Sequence, residues 1–390
     1  METNNFPSWF QHVFQFVEKS DIASMMKNTV EDSCWHRESS TWVHTVMTLN
    51  HYFENIADHR SISQQWITAL ALLAHDFGKP GSEETKERAG TGEKYHSYAG
   101  HESVSANEMI SFFCAHDSLR EAFFAEGFGW NDLRKIKFMI EHHLPYNLTR
   151  PAKRIVLRSA VAYALGEDEV CFYDMLISDC CGRISDDHGT KKAKVHEWVE
   201  KFKEIPIAQN DVAKRAPKTK QQPILYVLHG VSGAGKSTFI EQMQGLNVFS
   251  EDALRLKYAE EQLDHTDLRY WSSMTTAEKY DAAWKFCHLN KDSDFSQRSK
   301  ARYHEVLAEM RDAVLDRMNP TRKGRSLYIE AAKALGYRIQ SVEFYISKEE
   351  AKARQKTRGD KQLPDSRVHQ IFMQMETPLV GPEVDAFIII

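Results

Sequence analysis

The sequence lacks the features that mark secreted, disulfide-stabilised and membrane-spanning proteins. Its six cysteines are scattered and form no CxxC pair, which argues against a disulfide framework and against a zinc ribbon. No apolar run approaches the ~20 residues that a membrane-spanning helix needs. The first residues, METNNFPSWFQHVFQF, have neither the basic start nor the apolar core of a signal peptide. We therefore expect a cytoplasmic protein without a membrane partner.

The sequence also lacks a strong net charge, an internal repeat and a low-complexity tract. Its formal net charge is −5 over 390 residues, so overall charge does not indicate nucleic-acid binding, although a local basic surface stays compatible with it. The length suffices for two domains of ordinary size.

The hydrophobic pattern divides the chain into two parts. Up to about residue 202, stretches such as QWITALALLAHDFG and LRKIKFMIEHHL carry apolar residues at helical spacing, and strand-like runs are scarce. After a polar, basic segment with two prolines, the runs ILYVLHG, YRIQSVEFYIS and VDAFIII alternate with helical stretches. We expect an all-α domain over residues 1–208, a linker over 209–223 and an α/β domain with a parallel sheet over 224–390.

The second part begins with GVSGAGKS, a phosphate-binding loop placed between a strand pattern and a helix start. Its glycines let backbone N–H groups turn towards phosphate oxygens, and the following helix N-terminus adds positive partial charge. Lys236 would contact the outer phosphates, and the Ser237 hydroxyl is a ligand for Mg²⁺. The predicted cofactor is ATP, or another nucleoside triphosphate, with Mg²⁺. The residues expected to bind it are Gly230, Ser232, Gly233, Ala234, Gly235, Lys236, Ser237 and Thr238.

Two later stretches carry residues that could act on the group that accepts the phosphate. In FSEDALR, Asp252 and Arg255 lie three residues apart after a strand-like run. If a helix begins there they share a face, and the carboxylate could take a proton from an attacking hydroxyl. The alternative is an N-cap aspartate beside a surface arginine. In VLDRMNPTRKGR, Asp316 and Asn319 follow an apolar strand end, with Arg322 and Arg325 after them.

A third stretch, ARQKTRGDKQLP, places Arg354 and Arg358 four residues apart on one expected helical face. Such a basic helix could close over the phosphates of ATP and stabilise the transferring group. The alternative is a solvated basic helix at the surface.

In this order, the motifs resemble the phage-type 5′-OH polynucleotide kinase family over residues 223–375. The resemblance implies that Asp252 is the general base and that Arg255 contacts a 3′ phosphate of the acceptor. It also implies that Arg358 is a lid arginine and that Arg354 supports the lid.

Two features depart from that family. The motif DRMN has a different spacing, so the resemblance assigns no role to Asp316 and Asn319. The aromatic-rich stretch 263–301 matches no part of the family pattern and could shape a channel for the acceptor.

The first part carries histidines and aspartates within apolar helical patterns. His75 and Asp76 are adjacent in ALLAHDFGKP, and burying both without partners would be costly. A divalent metal would satisfy both, and mixed imidazole and carboxylate ligands suit Mn, Fe, Co, Ni or Zn. One such histidine is usually a hydrogen-bonded core or surface residue, but the ordered set is hard to explain in that way. The further candidates are His44, His101, His142, His143 and Asp179.

The motifs HDFGKP, GHE and SDCCGR resemble the HD-domain phosphohydrolase superfamily over residues 42–183. The resemblance implies metal-activated water that attacks a phosphoester, with Lys79 on the scissile phosphate. It implies one or two metals. The first would be held by His44, His75, Asp76 and Asp179, and the second completed by His101 and His142, with His143 as neighbour or further ligand. Helical phase leaves the choice between the two adjacent histidines open.

The order of the two parts is similar to that of the HD-Pnk family of bifunctional RNA end-healing enzymes. The function implied is removal of a 2′,3′-cyclic or 3′ phosphate by one part and phosphorylation of a 5′-OH by the other. RNA or DNA ends would be the substrates, and a separate RNA ligase could follow. The main alternative is a small-nucleotide phosphohydrolase fused to a nucleoside or metabolite kinase. A second alternative is a first part that only binds nucleic acid.

Overall fold

The structure is a computed structural model, which describes residues 6–33, 36–87, 90–185, 190–208, 222–263, 265–289, 293–359 and 362–390. The chain divides into two compact units, Met1–Gln209 and Asn210–Ile390. Most of the predicted linker falls on residues 209–221, outside the described residues. Its last residue, Pro223, already accepts a hydrogen bond from the backbone N–H of Arg338 in the second unit (2.9 Å).

The first unit is helical. Its described helices are α1 (Ser8–Glu18), α2 (Asp21–Asn28), α3 (Thr41–Asn55), α4 (Ile62–Ala74), α5 (His101–Ala115), α6 (Asp117–Ala125), α7 (Trp130–Glu141), α8 (Pro151–Leu165), α9 (Glu169–Cys181) and α10 (Thr190–Lys203).

Two short antiparallel strand pairs interrupt the helices of this unit. They are β1 (Val30–Glu31) with β2 (Ser39–Ser40), and β3 (Glu84–Glu87) with β4 (Lys94–Ser97). The sequence analysis did not predict them. The residues of β3 and β4 are polar or exposed, so they lack the alternating apolar face from which a strand is inferred.

Helix α4 lies at the centre of the first unit. It packs against α3, α7 and α9, and every residue from Trp66 to Ala74 is buried. A helix that is apolar on all sides has to be enclosed by others. A capping box formed by Ser61 and Gln64 fixes its start, while its C-terminal end lies inside the unit.

The second unit contains a five-stranded sheet. The strands are β5 (Ile224–His229), β6 (Asn247–Ser250), β7 (Ala313–Asp316), β8 (Arg338–Glu343) and β9 (Ala386–Ile389). Their order is β6-β7-β5-β8-β9, and all neighbours are parallel. The described helices are α11 (Lys236–Gln242), α12 (Glu251–Glu261), α13 (His265–Ser273), α14 (Thr276–Leu289), α15 (Ser293–Ala308), α16 (Arg322–Ala334), α17 (Lys348–Thr357) and α18 (Asp365–Met373). An all-α part followed by a parallel α/β part confirms the predicted fold class.

Both faces of the sheet are buried, as a parallel sheet covered by helices requires. Leu225 and Val227 of β5 belong to one apolar cluster, whereas Tyr226 and Leu228 belong to the cluster on the opposite face. Because all strands are parallel, their carboxyl ends meet at one edge, which is where ligands bind in such sheets.

The stretch 263–301 folds into helices wherever the structure describes it. Helix α14 packs against α12, and Tyr258 of α12, Cys287 of α14 and Phe295 of α15 form one apolar cluster. Whether this stretch shapes a channel for the acceptor stays a prediction. Among the helices of the described residues, none is both long and apolar enough to cross a membrane.

Candidate functional site

The first site lies in the helical unit, where the ends of several helices meet. His44 is on α3, His101 opens α5, and Asp179 is near the end of α9. The helix that was predicted to contain His75 and Asp76 ends before both, at Ala74. His75 is its C-cap, and Asp76 lies in the turn that follows. All seven candidate ligands are buried; apart from His142, they are His44, His75, Asp76, His101, His143 and Asp179.

Their ligand atoms form two groups, each within 4.8 Å. His44, His75 and Asp179 make one group, and Asp76, His101 and His143 make the other. His44 Nε2 is 3.1 Å from Asp179 Oδ1 and 3.2 Å from His75 Nε2. His101 Nε2 is 3.2 Å from Asp76 Oδ1 and 3.3 Å from His143 Nε2. Atoms bound at ~2.0–2.2 Å to one ion lie about 3 Å from each other, so the spacing suits metal ligands.

Asp76 lies between the two groups. Its Oδ1 faces His101, and its Oδ2 lies 3.2 Å from His75 Nε2. Neither carboxylate oxygen makes a hydrogen bond of good geometry, although both are fully buried. Oδ2 has a cationic partner, since it lies 2.8 Å from Lys79 Nζ, so Oδ1 is the oxygen that a further cation would satisfy.

In three of the histidines, Nδ1 is the ring nitrogen that points away from the ligand group, and its partner determines whether it is protonated. The Nδ1 atoms of His75, His101 and His143 lie 2.6–2.7 Å from the backbone carbonyls of Leu72, Tyr98 and Ile140, each three residues earlier. A carbonyl only accepts, so each Nδ1 carries a proton, and Nε2 is the ring nitrogen left to face the ligand group. The Nε2 atoms of His101 and His143 lie 3.3 Å apart, so a cation has to lie between them: a proton on His101, whose pKa burial would lower but Asp76 raises, or a metal ion in its place. The donor set therefore fits divalent metal.

The surroundings shift two imidazole pKa values in opposite directions. Burial alone would lower the pKa of His44, but its contacts with Asp179 and Glu38 outweigh burial and raise the pKa to about 10. Burial, reinforced by the neighbouring His101 and His75, lowers the pKa of His143 to about 3. His143 is consequently a neutral imidazole with a free lone pair at neutral pH.

The distances favour His143 over His142, which the resemblance had assigned to the second group. Both residues follow α7, which ends at Glu141, so the helical phase does not extend to them. The His142 ring lies 4.7 Å from that of Phe138, edge to face, and His142 belongs to none of the ligand groups found among the described residues.

Lys79, the predicted phosphate contact, is buried between two carboxylates. Its Nζ lies 2.8 Å from Asp76 Oδ2 and 2.7 Å from Glu31 Oε1. Burial alone would lower the pKa of Lys79, but Asp76 and Glu31 outweigh it and raise the pKa above its usual value. In this structure Lys79 neutralises the carboxylate that links the two ligand groups.

The second site lies at the carboxyl edge of the parallel sheet, where the loop 230–235 joins β5 to α11. Gly233 (φ 89°) and Gly235 (φ 102°) take the left-handed backbone that favours glycine. A Cβ on Gly230 would lie 2.9 Å from Phe344 Cβ, so this position also needs glycine. Lys236 Nζ donates to the carbonyls of Gly230 (2.8 Å) and Val231 (2.7 Å).

Four other predicted nucleotide contacts belong to this loop and helix. Ser232 is buried within the loop, and Ala234 packs against the apolar cluster around Phe344. Ser237 and Thr238 stand in the first turn of α11 and are exposed.

Two arginines, one on α17 and one just after it, contact the phosphate-binding loop. Arg354 Nη1 donates to the carbonyl of Gly233 (3.3 Å), and Arg358 Nη1 donates to Ser232 Oγ (3.2 Å). The expectation of one shared helical face is wrong, because α17 ends at Thr357 and Arg358 has an extended backbone. Both guanidinium groups nevertheless contact the loop that would hold the phosphates.

The pair Asp252 and Arg255 lies at the end of β6. Helix α12 begins at Glu251 with Ser250 as its N-cap, so Asp252 is in the first turn and is not the cap. Arg255 Nη1 donates to Asp252 Oδ1 at 2.5 Å. The sequence analysis missed Glu251, whose Oε2 lies 2.9 Å from Arg317 Nε and 3.5 Å from Arg255 Nη2. In the sequence, the only indication that Glu251 belongs to this site is its position next to Asp252.

Asp316 and Asn319 have different surroundings. Asp316 ends β7 in register with Ser250, so its carboxylate is at the ligand-binding edge. Asn319 has a left-handed backbone (φ 49°), and its Nδ2 donates to the carbonyl of Leu228 in β5 (2.7 Å). Its own carbonyl accepts from the buried Arg325 (3.0 Å). Asn319 and Arg325 therefore hold the loop after β7 against the strand that leads to the phosphate-binding loop.

A family model described as an AAA domain matches residues 225–378. This range includes the glycine-rich loop, the Asp252–Arg255 pair and both loop-contacting arginines. It forms a P-loop nucleotide-binding domain of the kinase type. No curated protein matches the chain at a significant level.

Proposed function

We propose that the protein is a bifunctional enzyme that prepares broken nucleic-acid ends, RNA ends above all, for joining by a separate ligase. Breaks that leave a 2′,3′-cyclic phosphate and a 5′-OH need both changes before a ligase can act. The helical unit would remove the phosphate at the 3′ side. The P-loop unit would transfer the γ-phosphate of ATP, or of another nucleoside triphosphate, to the 5′-OH.

The observation that carries the hydrolase half is the convergence of imidazole Nε2 atoms on buried carboxylates. His44, His75 and Asp179 would hold one divalent ion, and Asp76, His101 and His143 a second. When bound, the ions would supply an activated water and neutralise charge on the phosphoester. The identity of the metal is left to experiment, since the donor set suits Mn, Fe, Co, Ni and Zn.

The buried residues around the ligands would prepare this site for metal and substrate. The backbone carbonyls hold three imidazoles in the tautomer that presents Nε2 inwards. Lys79 balances the charge of Asp76. Lys79 would also bind a phosphate oxygen of the substrate, which is the role that the HD-domain resemblance implies.

The kinase half rests on residues that surround the glycine-rich loop. Lys236, Arg354 and Arg358 place three cationic groups at the loop, and such charges stabilise a transferring phosphoryl group. Asp252 would accept the proton of the attacking 5′-hydroxyl, and Arg255 would hold that carboxylate in place and contact the acceptor phosphate.

The experiment uses an RNA with a 5′-OH and a 2′,3′-cyclic phosphate, given γ-labelled ATP with Mg²⁺ and each transition metal in turn. We expect label at the 5′ end and loss of the cyclic phosphate in the same RNA. If a nucleoside or small metabolite accepts label and the RNA does not, the end-healing function is wrong and the metabolite kinase alternative holds.

A further inference from the structure

Glu38 occupies a buried position behind the first ligand group. Glu38 directly precedes β2, and its side chain has no exposed surface. Its Oε1 accepts the backbone N–H of Ile184 (2.7 Å) and lies 3.4 Å from His44 Nδ1. Its Oε2 lies 3.5 Å from His36 Nδ1. One carboxylate thus faces a candidate ligand and the segment that follows α9.

The Nδ1 atom of His44 has a different neighbour from the Nδ1 atoms of the other three candidate histidine ligands. In His75, His101 and His143 the Nδ1 atom meets a backbone carbonyl. In His44 the Nδ1 atom makes no hydrogen bond of good geometry but lies 3.4 Å from the carboxylate oxygen Oε1 of Glu38, while Nε2 points at Asp179 and His75. A charged acceptor behind an imidazole fixes its tautomer and strengthens it as a ligand more than a neutral carbonyl does.

We propose that Glu38 is a positioning residue for the metal site. This inference rests on the proposed hydrolase function. When Nε2 of His44 gives up its proton to bind metal, the charge of Glu38 beside Nδ1 favours keeping the other proton on Nδ1. Through Ile184 it also holds the chain just after α9, the helix that carries Asp179. Two ligands of the same group are therefore oriented by one buried carboxylate.

A third ion bound by His36, Glu38 and His44 is a different reading of the same residues, whose atoms also lie within 4.8 Å. It would require both ring nitrogens of His44 to bind metal, with loss of the imidazole proton. It would also require Glu38 Oε1 to serve an ion in addition to the N–H of Ile184. Orientation of His44 needs neither.

The test measures metal affinity of the full chain, stripped with a chelator and titrated with Mn²⁺ and Ni²⁺ by calorimetry. We expect Glu38→Ala to weaken affinity about 10–100-fold, the usual effect of removing such a partner. Glu38→Gln should be intermediate because its amide oxygen still accepts a hydrogen bond. Circular dichroism gives the folded fraction, and if the alanine variant does not fold, the glutamine variant decides.

The matched control is Asp174→Asn on α9. Asp174 is buried and pairs with Arg60 (2.5 and 2.9 Å), away from the ligand groups. It should lower the melting temperature and leave metal affinity unchanged. His36→Ala should keep the number of ions per chain.

Three results would overturn the proposal. Wild-type affinity in folded Glu38→Ala, or in Glu38→Gln where the alanine variant is unfolded, refutes the role of Glu38 alone. Loss of one ion per chain in His36→Ala would make Glu38 a ligand of a third ion. Absence of any metal binding by the unchanged protein would refute the proposed hydrolase site itself, and the role of Glu38 with it.

Discussion

At the scale of single residues, the direction of each hydrogen bond decides which side chain can act as ligand, base or anchor. His75, His101 and His143 are arranged as ligands because backbone carbonyls hold their Nδ1 protons. Asn319 is an anchor because its amide donates to the carbonyl of Leu228. Asp252 stands in the first turn of α12, where its carboxylate accepts a hydrogen bond from Arg255 through Oδ1, and Oδ2 is the oxygen that would take the proton of the acceptor.

Replacing Asp252 by asparagine tests its role as general base. Asp252→Asn keeps the shape of the side chain and removes its basicity. We expect kcat for phosphate transfer to 5′-OH RNA to fall about 10²–10⁴-fold, with little change in the KM for ATP. The control is Asp281→Asn, since Asp281 pairs with Lys285 on the exposed surface of α14. Unchanged kcat in Asp252→Asn would leave Asp252 only a helix-terminal residue.

Replacing Arg358 by lysine tests whether its contact with the loop serves catalysis. A lysine keeps the charge but loses the planar set of donors that fits phosphate oxygens, so steady-state kinetics should show a clear fall in kcat. Arg354→Lys should be milder, because Arg354 is tied to Glu350 (2.8 Å) as well as to the loop. Full activity in both variants would mean that this segment is only a solvated basic surface.

At the scale of elements, the positions where helices end account for most differences between prediction and structure. The P-loop was predictable because its chemistry depends on glycines and one lysine in a fixed local order. The choice of His143 over His142 was not, since α7 ends at Glu141 and helical phase no longer applies. The helical face expected to be shared by Arg354 and Arg358 fails for the same reason, because Arg358 follows the end of α17.

Glu38 shows a second limit of sequence analysis. It lies in a short irregular segment with no periodic pattern. Its importance comes from Ile184, which is 146 positions away, and from His44 on the next helix. Contacts of this kind depend on how helices pack, and no local spacing encodes them.

Gly78 tests how tightly the turn after α4 fits against α5. A Cβ on Gly78 would lie 2.5 Å from the backbone nitrogen of Ser105 and 2.7 Å from the carbonyl of His101. Backbone atoms within a helix cannot give way singly as the end of a flexible side chain does, so Gly78→Ala should displace the start of α5 as a whole and with it His101. We expect destabilisation of about 1–3 kcal/mol, or a fall in Tm of about 2–4 °C per kcal/mol, together with weaker metal binding.

Gly129→Ala is the matched control for that change. Gly129 directly precedes α7, and a Cβ there meets nothing within 4 Å. Melting curves and metal titrations of both variants should separate them. A Gly78→Ala protein with unchanged Tm and metal affinity would show that the packing of α5 does not hold the second ligand group.

At the scale of the whole molecule, each compact unit contains one of the two candidate sites. The metal-ligand groups are built only from residues of Met1–Gln209, and the P-loop, the acceptor pair and the two arginines only from Asn210–Ile390. We therefore propose that one chain carries two separate activities, and that a substitution can abolish either activity without the other.

The most direct measurement assays both activities on the same preparations of two variants. Asp76→Ala removes the carboxylate between the two ligand groups, so bound metal and hydrolysis of 2′,3′-cyclic and 3′ phosphate ends should be lost while transfer to 5′-OH ends stays near normal. Lys236→Ala removes the loop cation and should give the reverse result. If Asp76→Ala, still folded by circular dichroism, loses both activities, the two sites are not separate and the account is contradicted.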